Sequence, residues 1–269
     1  MDTTRALLAV RLAAAVLISA IFAGGCSSSG SIPTAAKPPA SESSKSSSAA
    51  AESSAPPRCP NDEGGVCLGQ IDADTGYTTK VFTPQLTYRV PTGGWFNYED
   101  TPGNFLLVPP RNDLAGVNAG TSDFLGVYTA VVPARIVQPD GCVLEPVPGS
   151  WKSPVAMAAW FRKRSDLNAS KPVPVAIGGL RGVVVDLRTK RGATWPTCTV
   201  NGQRLQLAGL FTGVSPSSLD HAVIPGMTMR LILLSSAGKV LAVELDDIDD
   251  APGGLASLTS VARNLRFGS

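Results

Sequence analysis

The chain has 269 residues and a formal net charge of +2, from 23 basic and 21 acidic residues with a single histidine. This near balance argues against a nucleic-acid partner, because phosphate binding needs clustered Lys and Arg on a strongly basic face. One histidine and widely spaced cysteines do not form a zinc motif, so we expect no metal and no cofactor. The length allows one large domain or two small ones.

The first predicted element is an export signal over residues 1–25. Arg5 and Arg11 precede an apolar run over residues 12–22, and small residues follow at 23–25. An apolar core of about 11 residues is typical of a secretory signal, whereas a membrane-spanning helix needs about 20. The sequence therefore predicts export of the protein.

Cys26 comes directly after the small residues. This order resembles the bacterial lipoprotein signal, in which such a cysteine receives a diacylglyceryl group and becomes the mature N terminus. The resemblance implies that Cys26 is lipidated and that the protein is anchored to the extracytoplasmic face of the cell membrane. Ala23 stands where the pattern usually has leucine, and plain secretion is the alternative.

Frequent alanine, glycine, proline and arginine suggest a GC-rich genome such as that of an actinobacterium.

A tether and one domain are predicted after the signal. Residues 26–58 comprise the lipidated cysteine and a segment of Ser, Ala and Pro in which Ile32 is the only large apolar residue. Such a composition is typical of a disordered tether. No second linker interrupts the remainder, so residues 59–269 are predicted to form a single domain.

Four further cysteines are predicted to form disulfide bonds, because an exported protein meets an oxidising compartment. They are Cys59, Cys67, Cys142 and Cys198. Of the three possible pairings we favour Cys59 with Cys67 and Cys142 with Cys198, since the first pair closes a short loop that contains glycine. The other two pairings stay open.

Short strands are predicted in the first half of the domain. Residues 77–90 suggest a strand pair bent at Pro84, and residues 95–110 suggest two strands joined by a turn. Residues 124–137 form the next apolar run, which Pro133 should end at an edge or a bend.

A helix is predicted to begin at Ser153 and Pro154 and to continue to Asp166. The serine hydroxyl can cap free amides, and proline at the first helical position loses no needed hydrogen bond. Val155, Ala158, Ala159, Trp160 and Phe161 are expected to form its apolar face.

Two hairpins and a final helix are predicted in the second half of the domain. Gly178 and Gly179 should form the turn of the first hairpin. The predicted elements are the hairpin of residues 173–177 and 180–187, a strand over 205–211, the hairpin of 229–234 and 239–245, and a helix over 255–265.

These elements predict an α+β fold, a mostly antiparallel β-sheet built from hairpins with about two packed helices. The segments 88–91 and 93–95, with the later glycine hairpin, resemble the PsbP-like exported domains. The resemblance implies a PsbP-like sandwich that serves as a scaffold for ligand or partner binding, and it brings no catalytic residues. The loops near residues 194–204 and 212–226 are additional to the basic set of elements in that family.

The sequence contains no catalytic signature. A serine or cysteine triad needs a base, and His221 is expected to be a solvated loop residue. The densest set of carboxylates lacks the spacing of a calcium loop and is interpreted as a solvated strand end. It comprises Glu244, Asp246, Asp247, Asp249 and Asp250.

Aromatic residues provide the candidate binding positions. Trp95, Phe96 and Tyr98 lie together in the sequence, and Trp160 lies in the predicted helix beside Phe161. Their usual role is in the core. Because ligand sites are mostly apolar and concave, Trp95, Phe96 and Trp160 are also the candidates for apolar binding.

We therefore expect a non-enzymatic, lipid-anchored module of the cell envelope that binds an apolar ligand, an envelope lipid or a protein partner. An envelope hydrolase with an unconventional acidic site and a passive structural or assembly lipoprotein are the alternatives. A deep apolar cavity would favour the first function, convergent buried carboxylates the second, and a flat apolar patch the third.

Overall fold

A computed structural model describes most of the predicted domain. The described residues are 66–110, 112, 114–117, 121–137, 143–149, 151–200, 203–213, 220–248 and 252–268. All of them belong to one compact unit, Ser53–Ser269. The predicted signal, Cys26, the tether, Cys59 and Cys142 lie outside the described residues. No helix within the described ranges is long and apolar enough to cross a membrane.

Strands make up about half of the described residues. The strands are β1 (Gly69–Ile71), β2 (Tyr77–Thr78), β3 (Leu86–Tyr88), β4 (Trp95–Asp100), β5 (Asn104–Val108), β6 (Phe124–Tyr128), β7 (Val132–Val137), β8 (Val143–Pro146), β9 (Leu167–Ala169), β10 (Val173–Ile177), β11 (Leu180–Thr189), β12 (Thr197–Val200), β13 (Gln203–Gln206), β14 (Ala208–Thr212), β15 (Asp220–Val223), β16 (Thr228–Ser236), β17 (Lys239–Asp247) and β18 (Arg266–Phe267). The helices are α1 (Pro154–Lys163) and α2 (Gly254–Arg263), with a 3₁₀ turn at Leu114–Gly116.

The largest sheet has nine strands. Eight of them follow the order β1-β4-β5-β6-β17-β16-β11-β10, and the ninth, β9, pairs with the C-terminal end of β11. Each neighbouring pair is antiparallel. Both predicted hairpins are confirmed, as β10–β11 and β16–β17. Gly178 and Gly179 have positive φ angles of 57° and 87°, which glycine adopts at no steric cost.

Within the described residues, three smaller antiparallel sheets accompany the large one. They are the four-stranded sheet β15-β14-β7-β8, the three-stranded sheet β18-β3-β2 and the hairpin β12–β13. Together with the two helices they confirm the α+β class with mostly antiparallel pairing. The predicted strand pair over residues 77–90 is the short pair β2–β3.

The two helices lie on opposite faces of the large sheet. Val183 and Leu231 belong to the same buried cluster as Phe161 of α1. Their strand neighbours Val184 and Ile232 belong to the cluster that contains Leu258 of α2. Because successive strand residues point to opposite sides, each strand supplies both cores.

Helix α1 begins as predicted and ends earlier. The amide of Ala156 donates to the Ser153 hydroxyl over 3.4 Å, and Pro154 is the first helical residue. The helix ends at Lys163 rather than at Asp166. Its predicted apolar face was partly wrong, since Val155 is 59% exposed and Met157 is fully buried.

Two predicted strands are each divided between different sheets. Residues 124–137 form β6 in the large sheet and β7 in the four-stranded sheet, separated by Ala130 with a positive φ of 54°. Pro133 lies inside β7, opposite Phe211, and does not end the strand. Residues 205–211 are likewise shared between β13 and β14. An apolar run gives no information about a change of sheet, because the pairing partners are remote in sequence.

Candidate functional site

A cavity of about 600 Å³ lies beside Trp160, and we call it the Trp160 cavity. Its walls come from the end of α1, from β7 and β14, and from residues 194–196. The volume lies within the range of about 300 to 1,000 Å³ that is usual for ligand sites. Four separate stretches of sequence therefore meet around one aromatic side chain.

The position of Trp160 follows from the packing of α1. Phe161 is fully buried against the sheet, and adjacent residues of a helix are rotated by about 100°, which leaves Trp160 at the edge of that contact and half-buried. Trp151 supports it in an edge-on arrangement, with ring centroids 6.3 Å apart. The Trp151 indole is held in turn by its hydrogen bond to the Val147 carbonyl, 2.7 Å long.

Two arginines contact the Trp160 ring. The guanidinium carbon of Arg135 lies 5.7 Å from the ring centroid, and that of Arg164 lies 5.1 Å from it. Both distances are within the range of favourable cation–π interaction. Lys163 adds a third positive charge to the cavity wall.

Arg164 is a structural group. It donates to both carboxylate oxygens of Asp166, at 2.9 and 2.5 Å, and to the Gly209 carbonyl of β14. Burial raises the pKa of Asp166, but the hydrogen bonds and the charge of Arg164 outweigh it and hold that pKa below its usual value. The pair joins the end of α1 to the four-stranded sheet.

Arg135 and Lys163 are different, because both are exposed and neither forms an ion pair within the described part of the chain. The cavity wall thus carries three cations and the single carboxylate of Asp166. These groups give the wall a net charge of +2 beside a half-buried indole, and Glu145 of β8 lies opposite Arg135 in the strand register. This combination can bind an anion that is attached to a larger group.

The other two candidate residues lie elsewhere. Trp95 is 1% exposed and packs in the core on the α2 side of the large sheet. Phe96 is half-buried and packs against the small cluster that contains Tyr98 and Leu106. Neither residue lines the Trp160 cavity.

The expectation of a solvated loop histidine was wrong. His221 belongs to β15, is 7% exposed, and places Nδ1 at 2.6 Å from Oε2 of Glu244 on β17. Its ring stacks on Phe211, with centroids 4.4 Å apart, and contacts Tyr128 at 4.0 Å. The contact between His221 and Glu244 therefore links the four-stranded sheet to the large sheet.

The expectation of a solvated acidic strand end was also wrong for the residues that the structure describes. Glu244 is 1% exposed, and Asp246 and Asp247 are each 3% exposed. The reason is the position of β17, which lies between β6 and β16 in the middle of the large sheet. Asp249 and Asp250 lie outside the described residues.

Tyr128 completes this buried cluster. Its phenol lies over Gly126, where a Cβ atom would overlap the ring. Burial, followed by the charges of Glu244, Glu99 and Asp246, raises the pKa of Tyr128. Burial, followed by the charges of Glu244 and Asp123, raises the pKa of Asp246 well above its usual value. In both groups the fold favours the neutral form.

Neither the Trp160 cavity nor a smaller cavity beside α2 is lined by Glu99, Tyr128, Glu244 or Asp246. Within the described ranges, no group of three or more His, Cys, Asp or Glu side chains is arranged to hold a metal ion. The only sequence signal for this cluster was the alternation of acidic and apolar residues at the end of β17. Such alternation cannot show that both faces of the strand are covered in the fold.

The disulfide pairing of Cys59 with Cys67 and of Cys142 with Cys198 stays a prediction. Cys67 and Cys198 are both buried, at 3% and 1% exposure. Their proposed partners, Cys59 and Cys142, lie outside the described residues.

No protein-family model matches the chain, and no curated protein matches it either.

Proposed function

We propose that the protein is a non-enzymatic, lipid-anchored binding module of the cell envelope, and that the Trp160 cavity binds the anionic headgroup of an envelope lipid. The observation that carries the proposal is the pair of exposed cations Arg135 and Lys163, which form no salt bridge within the described residues and lie on the wall of a 600 Å³ cavity beside Trp160. Exposed cations that are not held in salt bridges attract an external anion.

The cavity chemistry supports a headgroup more than a fully apolar ligand. Arg135 already lies over the indole, so a ligand that reaches it contacts charge and aromatic surface together. Tryptophan is favoured where one end of a site is apolar and the other is wet, as at the surface of a membrane.

The predicted anchor supports the same function. Lipidation at Cys26 would place the domain on the extracytoplasmic face of the membrane, and the tether over residues 26–58 would span roughly 30 Å as a flexible coil. The domain could then present the Trp160 cavity to the lipid surface to which it is attached.

The resemblance to PsbP-like domains is also part of the proposal. Short strands before α1, then the hairpin β10–β11, further strands and the final helix α2 support it. As a scaffold for binding, such a domain would need no catalytic residues. The alternative of an acidic hydrolase is less well supported, because neither described cavity is lined by Glu244 or Asp246.

The test is binding to lipid vesicles by the full chain that carries Cys26→Ala, so that no anchor contributes. We expect co-sedimentation with phosphatidylglycerol vesicles and little with phosphatidylcholine vesicles. The double variant Arg135→Gln and Lys163→Gln should weaken binding about thirtyfold, since a cation near an anionic surface contributes about 1 kcal/mol.

A matched control replaces Lys152 and Arg162 by Gln, because both are exposed and neither lines the cavity. Equal weakening by the two double variants would reject the cavity as the site and indicate general charge attraction. Soluble glycerol phosphate should compete with the vesicles if the headgroup alone is recognised. Absence of binding to phosphatidylglycerol would contradict the proposed ligand class.

A further inference from the structure

A second cavity, of about 270 Å³, lies between α2 and the edge of the large sheet, and we call it the α2 cavity. Its floor comes from β10, β11 and β16 and is aliphatic. The floor residues are Val173, Val175, Ile177, Val184 and Ile232. The cavity is on the face of the sheet opposite to α1, so it is independent of the Trp160 cavity.

The α2 cavity exists because α2 does not cover this part of the sheet with large apolar side chains. Leu258, Val261 and Ala262 of α2 are buried in the core. Thr259 and Arg263, which are one helical turn apart, face the cavity instead. A threonine is too short to fill the space above the valine floor, and Val173 remains 56% exposed on the edge strand.

One end of the cavity is polar, and most of its polar groups are satisfied internally. Arg230 donates to both oxygens of Asp186, at 2.7 and 2.9 Å, and to the Thr259 hydroxyl at 3.0 Å. The hydrogen bonds from Arg230, and then the negative charge of Asp186, raise the pKa of Arg230 against the lowering effect of burial. These groups need no ligand.

Arg263 differs from Arg230. It is exposed, and within the described part of the chain its guanidinium has no acidic partner. The net charge of the cavity wall is therefore positive, and it is carried at the end where α2 finishes. An aliphatic floor beside one uncompensated cation complements a ligand with a hydrocarbon chain and one anionic end.

We infer that the α2 cavity binds a fatty-acid carboxylate, with its acyl chain on the aliphatic floor and its carboxylate against Arg263. The volume is slightly below the usual range for whole ligands, so it suits part of a single chain rather than a two-chain lipid. This inference goes beyond headgroup binding in the Trp160 cavity and does not depend on it.

The experiment is calorimetric titration of the full chain with laurate, below the concentration at which laurate forms micelles, and with dodecanol for comparison. Val184→Phe fills the cavity and should weaken laurate binding by at least tenfold. Arg263→Gln should weaken laurate binding by about tenfold and leave dodecanol binding unchanged. Arg191→Gln is the matched control, because Arg191 is exposed and remote from the cavity lining.

Two results would overturn the inference. One is the absence of laurate binding to the unmodified chain. The other is equal laurate affinity in the unmodified chain and in the Val184→Phe variant, with thermal unfolding showing that the variant is folded. If Val184→Phe does not fold, Arg263→Gln decides the question, since equal losses in Arg263→Gln and Arg191→Gln would also reject the site.

Discussion

At the scale of single residues, the buried polar cluster shows how a strand position controls the chemistry of a side chain. Glu244 lies opposite Gly126 in the sheet register, so Tyr128 can extend across the glycine toward the carboxylates. His221 reaches the same region from the four-stranded sheet. The desolvation of Tyr128 and Asp246 has a cost that must appear in the pH dependence of stability.

Asp246→Asn should change that dependence in a defined direction. The raised pKa of Asp246 means that its neutral form suits the fold, so its contribution is fully present below the pKa of the unfolded chain and is lost as pH rises through the folded pKa. The variant should therefore gain stability over the unmodified chain as pH rises, by about 1.4 kcal/mol for each unit of pKa elevation.

Urea unfolding between acidic and mildly alkaline pH measures this effect. Asp72→Asn serves as the control, because Asp72 is exposed. Parallel stability profiles for Asp246→Asn and the unmodified chain would contradict the assignment of a raised pKa to Asp246.

At the scale of elements, the two helices begin in different ways. Helix α1 has a local cap, the Ser153 hydroxyl followed by Pro154. Helix α2 follows Gly253, which has a left-handed conformation with φ of 87° and offers no side-chain cap. Instead, the amide of Leu255 donates to the carboxylate of Asp247 on β17 over 3.2 Å. Only the first of these caps can be read from adjacent residues.

Ser153→Ala should destabilise the protein by about 0.5 to 1 kcal/mol, through loss of the α1 cap. The lower half of the usual range is expected, since the capping distance of 3.4 Å is long. The shift of the urea midpoint at constant slope measures the loss. Lys152→Ala, an exposed neighbour before the helix, should have little effect, and an equal loss in both variants would contradict capping by Ser153.

At the scale of the whole molecule, the two cavities lie on opposite faces of one sheet, and an anchor is predicted at the far end of a tether. The Trp160 cavity needs the four-stranded sheet, since Arg135 and Gly209 belong to its strands. The walls of the α2 cavity include residues of the edge strand β10 and of the final helix α2. Both proposed ligands are components that a membrane surface can supply.

Cys26→Ala should release the protein from membranes into the soluble fraction. Several acyl chains on one cysteine would each contribute about 0.8 kcal/mol per buried methylene, whereas the variant would keep only the weak contacts of the domain. Detergent-phase partitioning and the mass of the mature N terminus measure the change, with Ser27→Ala as the neighbouring control. Unchanged partitioning of Cys26→Ala would exclude lipidation at this residue.

Local pattern alone determined much of the fold. Alternating apolar residues with glycine turns predicted the two long hairpins, the Ser153-Pro154 pair predicted the start of α1, and the balance of hairpins and helices predicted the α+β class. Each of these depends on residues close together in the chain, where steric preference and hydrogen bonding act directly. The half-burial of Trp160 beside the fully buried Phe161 follows from helical geometry in the same way.

The tertiary structure alone decided the burial of His221 and Asp246, the change of sheet between β6 and β7, and both cavities. Arg135, Trp160 and Gly209 meet only because strands from different sheets pack beside α1. A sequence pattern shows which residues can share a face, but the partner that covers the face is remote in the chain. Desolvation and charge pairing, which define a site, depend on that partner.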